Sequence, residues 1–216
     1  MRASNGTPSR FVCWNMGVLI HRNNPMASEA RFQSMIPLLE SLKSKGCTNL
    51  LVASTKKEQA EVTMDAFDMA PHFSALFSNE DVLPDSKLVR YLSILKSLGI
   101  SYDSASDQMI AICKGIEHVP VDVDIVSLIY PNSPSPELIG EMLSFLIDSQ
   151  ESMVRAHTVL HRIPASHIVD TDAIRGQIQL PSGAIVDVGL VQNPFSPLQW
   201  NRVMAVIKGV EEDPGK

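Results

Sequence analysis

The stretch Phe11-Val-Cys-Trp-Asn-Met-Gly-Val-Leu-Ile-His21 decides how the rest of the chain is read. Phe11 to Trp14 is a short apolar run and Gly17 to Ile20 a second, and both have the length and character of β structure. Downstream, Phe32, Met35, Ile36, Leu38, Leu39 and Leu42 recur at helical spacing between Ser28 and Lys45, where Gly46 ends the helix. Asn49 to Ala53 reads as a buried strand. Ser54 and Thr55 then stand where the N-cap of a helix from Lys56 to Met69 belongs. Ala75 to Phe77 is a further strand, and Lys87 to Leu98 a helix stopped by Gly99. Asp107 to Lys114 reads as a helix stopped by Gly115, with His118 to Val121 as the next strand.

Strands joined by helices at this spacing predict a parallel sheet covered on both faces, a doubly wound, Rossmann-like α/β core over residues 10–125. Residues 126–216 have a different pattern and read as a C-terminal α+β extension. After the apolar run Ile125 to Tyr130, Pro131, Pro134 and Pro136 mark a loop, and an amphipathic helix covers Glu137 to Ser149. Gly176 to Leu180 and Ala184 to Val188 form a hairpin through Pro181-Ser-Gly, and a last helix runs from Leu198 to Lys208.

Composition narrows the function classes. The 216 residues include 18 Lys plus Arg against 24 Asp plus Glu, a formal charge of -6, so no general nucleic-acid surface is advertised. Contact with nucleic acid inside a ribonucleoprotein, through a local basic face, stays open. The apolar runs fall far short of the ~20 residues that span a bilayer, and the first residues lack the apolar core of a secretory signal. Cys13, Cys47 and Cys113 are odd in number and set in apolar surroundings, as buried free thiols are. The expectation is an intracellular, reducing compartment, cytoplasm or organelle matrix.

Over residues 10–121 the order of elements resembles the haloacid dehalogenase-like (HAD) superfamily, on four strings. Members open with a strand ending Asp-x-Asp-Gly-(Thr/Val)-Leu, and Trp14-Asn-Met-Gly-Val-Leu19 stands in that place. A second strand ends in Ser or Thr, matched by Leu51-Val-Ala-Ser54 or, in the alternative register, Thr55. A Lys before a helix is matched by Lys87 in Pro84-Asp-Ser-Lys. An acidic pair before a helix is matched by Asp103-Ser-Ala-Ser-Asp107 and the residues to Gly115-Ile116. Only 15 residues lie between Lys87 and Asp103, which leaves room for no more than a truncated strand before this fourth motif.

The resemblance implies a chemistry that this chain cannot perform in the family's way. There the first Asp attacks phosphorus, and the second protonates the leaving group and later activates water. Ser or Thr and Lys hold the phosphoryl oxygens, and the fourth-motif acids help hold Mg2+. Here the nucleophile position falls on Trp14 and the acid/base position on Met16, and neither side chain can serve. Asn15 between them is an uncharged amide that a strand turns to the opposite face. Trp14 is expected to fill the cavity where a substrate phosphate would sit. The sequence therefore predicts a catalytically inactive HAD-like protein with no required cofactor and at most weak Mg2+ binding, serving as a structural or regulatory subunit beside other proteins. A divergent Mg-dependent phosphohydrolase and a non-catalytic binder of a phosphorylated ligand are the alternatives.

Each remnant also has a plainer role. Ser54 or Thr55 serves equally as a helix cap, Lys87 as a solvated first-turn residue, and Asp103 and Asp107 as acids at the positive end of the following helix. His157 and His161, at i and i+4, with His167, Asp170 and Asp172, are a poor zinc set, because neither a zincin Glu nor a Cys ligand accompanies them. Ten methionines are mostly helix-face core. Trp200, in the last helix, is the interface candidate.

Overall fold

The computed structural model describes residues 10–21, 24–78, 91–101, 108–115, 118, 120, 123, 125–130, 135–147, 176–179, 185–192 and 201–206. Strand β1 (Arg10–Asn15) leads into one helical turn, α1 (Met16–Leu19), and the long helix α2 (Pro25–Ser44). Next come β2 (Cys47–Val52), α3 (Lys57–Ala66), a 3-10 turn (Ala70–His72) and β3 (Ala75–Phe77). Helix α4 (Tyr91–Leu98), β4 (Met109–Cys113), β5 (Val126–Ile129) and α5 (Pro136–Ile147) come after them. The last described elements are β6 (Gly176–Gln179), β7 (Ile185–Gln192) and β8 (Asn201–Val206).

The strands form one sheet in the order β3-β2-β1-β4-β5-β8-β7-β6. β1 to β5 pair in parallel, with Phe11 level with Thr48 on one side and Met109 on the other. β8 adds to β5 in parallel, and β7 and β6 continue antiparallel. The α/β architecture expected from the alternating pattern is thus present, and the sheet runs on past residue 125 through the strands of the C-terminal part.

Strand alternation separates two apolar layers. Val12, Trp14, Leu51, Ile110, Ile112 and Leu128 pack beneath Phe32, Met35 and Leu39 of α2 and Ile139, Met142 and Leu143 of α5. Cys13, Leu50, Val52, Ala111 and Cys113 pack beneath Tyr91, Ile94 and Leu95 of α4. Helices therefore cover both faces, as the continuous apolar strands require. α2 and α5 approach closely where Gly140 meets Leu38: a Cβ there would lie 3.1 Å from the leucine Cδ1.

Four sequence expectations change. Gly17 to Ile20 is not β: the strand stops at Asn15, and Met16 to Leu19 turns as helix. The helix expected from Asp107 to Lys114 is strand β4, buried at every residue. A short apolar run fits either form by pattern, and here pairing with β1 and β5 on both edges decides. The next strand is β5, not His118 to Val121; His118 and Pro120 are described, and neither is in a strand. In place of the last helix, Asn201–Val206 is β8, because β5 and β7 both offer it a ladder. The hairpin from Gly176 and the helices at α2, α3, α4 and α5 stand as expected.

Candidate functional site

In an open parallel sheet, ligands bind beyond the carboxyl ends of the strands. A cavity of about 570 Å³ lies there, beside the ends of β1 and β2. Met16, Gly17, Ile20 and His21 line one side, Pro25 and Ser28 the start of α2, Ala53, Ser54 and Thr55 the end of β2, and Gln59, Thr63 and Phe67 the far wall.

Local hydrogen bonds build this rim. The Asn15 side chain is buried, and its Oδ1 accepts from the Gly17 backbone N–H at 3.1 Å, which turns the chain from strand into helix. The backbone N–H of His21 donates to Ser28 Oγ at 2.9 Å, while that hydroxyl lies 2.6 Å from the His21 carbonyl as donor, so α1's exit is tied to α2's first turn. Arg31 Nε donates to the Val18 carbonyl at 3.3 Å. Burial lowers the Arg31 pKa, and the Glu137 carboxylate opposes that shift.

Trp14 does not fill the cavity, contrary to the sequence expectation. It is 0% exposed and packs in the α2-facing layer, outside the cavity lining. Its Nε1 donates to Asn49 Oδ1 at 3.1 Å, and Asn49 Nδ2 donates onward to the Leu39 carbonyl at 3.0 Å. A buried indole N–H needs a partner. Asn49 supplies one and satisfies its own amide against the backbone of α2 in the same step. Met16 is also buried against this layer, but it reaches the rim and contributes a thioether to the cavity wall.

Ser54 and Thr55 line the cavity. They do not take the N-cap position of α3, which is Lys56 and makes no side-chain capping bond. Lys87, Asp103, Asp107, Trp200, His157, His161, His167, Asp170 and Asp172 lie outside the described residues. The strand that the resemblance places before the acidic pair comes after it in this chain, as β4. The residue immediately beyond β4 is Lys114, half-buried at the carboxyl edge. A Cβ on Gly17 would stand 3.0 Å from Asn15 Oδ1 and 3.2 Å from Lys114 Cδ, so these two side chains converge over the glycine.

Sequence reasoning missed His21, Ser28, Gln59, Thr63 and Lys114. Gln59 and Thr63 were legible as an i, i+4 pair on α3. Lys114 was hidden by the helical reading of its strand. Among the described residues the cavity lining holds hydroxyls, an amide and an imidazole but no carboxylate. Among the described residues no group of three His, Cys, Asp or Glu is placed to hold a metal. Mg2+ is held by oxygen ligands that include carboxylates, and Asp103 and Asp107, the acids that the resemblance assigns to it, lie outside the described residues.

No family model matches this chain, and no curated protein does. Among solved structures, a Thermotoga maritima protein described as a beta-phosphoglucomutase aligns with a TM-score of 0.42 at 12% identity, over 61% of this chain and 91% of that one. The core domain of a Streptococcus pneumoniae TIGR4 protein described as a phosphoglycolate phosphatase aligns with a TM-score of 0.37 at 14% identity, over 59% of this chain and 83% of that one. At such identities the likeness concerns architecture and leaves activity to be argued from the site. With its parallel five-strand core, crossover helices on both faces and carboxyl-edge cavity, the chain has a doubly wound, Rossmann-like α/β fold.

Proposed function

We propose that this chain is a catalytically inactive HAD-like protein that serves as a structural or regulatory subunit of a larger protein assembly. The observation that supports this reading is the Trp14–Asn49–Leu39 chain of hydrogen bonds. The position that the resemblance gives to a nucleophile is occupied by an indole with its own buried partner, so the substitution is integrated into the core. Met16, with no titratable group, stands at the acid/base position. Neither residue can attack phosphorus or move a proton.

The three buried free cysteines fit the reducing, intracellular setting proposed with this role. No helix among the described residues is long and apolar enough to cross a membrane. Trp200 is the proposed contact residue for a partner protein, and no cofactor is required. Purification of the tagged chain from its native source tests the proposal: partners at fixed stoichiometry are expected, and a lone monomer in extract contradicts it. Hydrolysis of a generic phosphate ester with Mg2+, abolished by Asp103→Asn, would establish the divergent phosphohydrolase instead.

One observation favours a second reading, a binder of a phosphorylated ligand without turnover. Ser54 and Thr55 border an open cavity at the end of β2, where hydroxyls and backbone N–H groups can hold phosphoryl oxygens. A rise in melting temperature with inorganic phosphate, diminished in Ser54→Ala, is the expected result.

A further inference from the structure

We infer that the mouth of the carboxyl-edge cavity is a docking face for a basic, amphipathic segment of a partner protein, which seats an apolar side chain against Met26 and Val62. The inference rests on the subunit role proposed above and names the chemistry of the partner. Met26 is 83% exposed and Val62 69%, the two most exposed large apolar side chains among the described residues. They stand on different helices, yet each adjoins the same cavity. Met26 follows Pro25, which lines it from the start of α2, and Val62 precedes Thr63, which lines it from α3. Helical spacing widens the second contact, because Gln59, Val62, Thr63 and Ala66, at i, i+3, i+4 and i+7, share one face of α3. Two large apolar side chains left in water beside a cavity walled in part by Met16, Ile20 and Phe67 have the character of a contact surface. The flexible thioether of Met26 suits it to an irregular partner.

Charge selects the occupant. Glu29 is exposed on α2, three residues after Met26 and so beside it on the helix surface. Glu58, Glu61 and Asp65, at i, i+3 and i+7, are exposed on α3 and border Val62 on the side away from the cavity. None of these four acids forms an ion pair among the described residues. Of the nearby cations, Arg31 is half-buried with its Nε turned to the Val18 carbonyl, and Lys56 and Lys57 stand more than a turn before Val62. A second copy of the chain docked through this face would set the same acids against one another. Lysines or arginines of a partner would instead meet carboxylates on both helices. The complementary surface is therefore an apolar anchor flanked by basic residues: burial of the anchor supplies affinity, and the charges steer and orient it.

The test is carbodiimide coupling of carboxylates to lysines in the native assembly, purified through the tagged full chain, with the joined peptides identified by mass spectrometry. Glu29, Glu58, Glu61 or Asp65 should be joined to lysines of one partner subunit, within a segment that carries apolar residues at helical spacing. Val62→Asp and Met26→Asp should each lower recovery of that subunit about tenfold, the loss of an anchor contact, and Val62→Ile should retain it. Both positions are exposed, so an unchanged melting temperature separates a lost contact from a lost fold. Coupling of the partner only to other carboxylates of the chain, or its full recovery with both aspartate variants, overturns the docking face while the subunit role stands. Coupling of these acids to lysines of a second copy overturns the partner assignment. A lone monomer in extract overturns the subunit role, and this inference with it.

Discussion

Trp14 and Met16 stand two residues apart, at the two positions that the resemblance gives to carboxylates, yet the molecule treats them differently. Trp14 lies in the layer under α2 with its one polar atom bonded to Asn49. Met16 begins α1 and forms part of a cavity wall at the edge of the sheet. The inner position is part of the packing, where a charged side chain would meet a buried apolar layer. The outer position has kept an open space lined by hydroxyls, with a lysine close by. Two residues so close in the chain can therefore serve packing in the core and border an open cavity on the rim.

The largest expected effect breaks the inner half of this comparison. Trp14→Ala should destabilise the fold by about 3–5 kcal/mol, as large-to-small changes in a full core do, measured by the urea midpoint. A loss of only a few tenths would mean that the indole is not held by the core. Next, Asn49→Ala should cost about 1–3 kcal/mol by stranding the buried indole N–H. In a double-mutant cycle of Trp14→Phe with Asn49→Leu, the two losses should fall short of additivity, because each removes the same bond.

At the rim the effects are smaller. Gly17→Ala should cost about 1–2 kcal/mol through crowding of Asn15 Oδ1 and the Lys114 stem, and should alter phosphate binding more than Ser28→Ala does. Ser28→Ala removes the tie between α1's exit and α2, a loss of about 1 kcal/mol. The gentlest change is in pH. Burial, with Cys113 adding to it, raises the Cys13 thiol pKa well above its ordinary value. A raised folded pKa means stability is complete below the unfolded thiol pKa, about 8.5, and declines as pH rises beyond it. Cys13→Ala should flatten the fall in melting temperature between about pH 8.5 and 10, and an unchanged slope would assign the alkaline loss to another group.

The alternating pattern of β1, α2, β2, α3 and β3 was legible because each segment carries one period over enough residues to be unambiguous. Met109–Cys113 was not, since five apolar residues in a row suit a strand or a helix turn equally. That ambiguity hid Lys114, whose stem lies beside Gly17 at the carboxyl edge. The hydroxyls Ser54 and Thr55 were legible as a candidate pair from the residues alone. His21 and Ser28 were not, because their roles come from a bond across the connection between two helices.

By itself, the sequence determined the α/β class and the absence of carboxylates at positions 14 and 16, because periodicity and residue identity are local properties of the chain. Only the tertiary structure decided that Trp14 is core and not cavity, that Asn49 is its partner, and that Lys114 lies over Gly17. Those facts depend on which strand ends lie side by side, and that is set by the packing of the whole sheet beneath its helices.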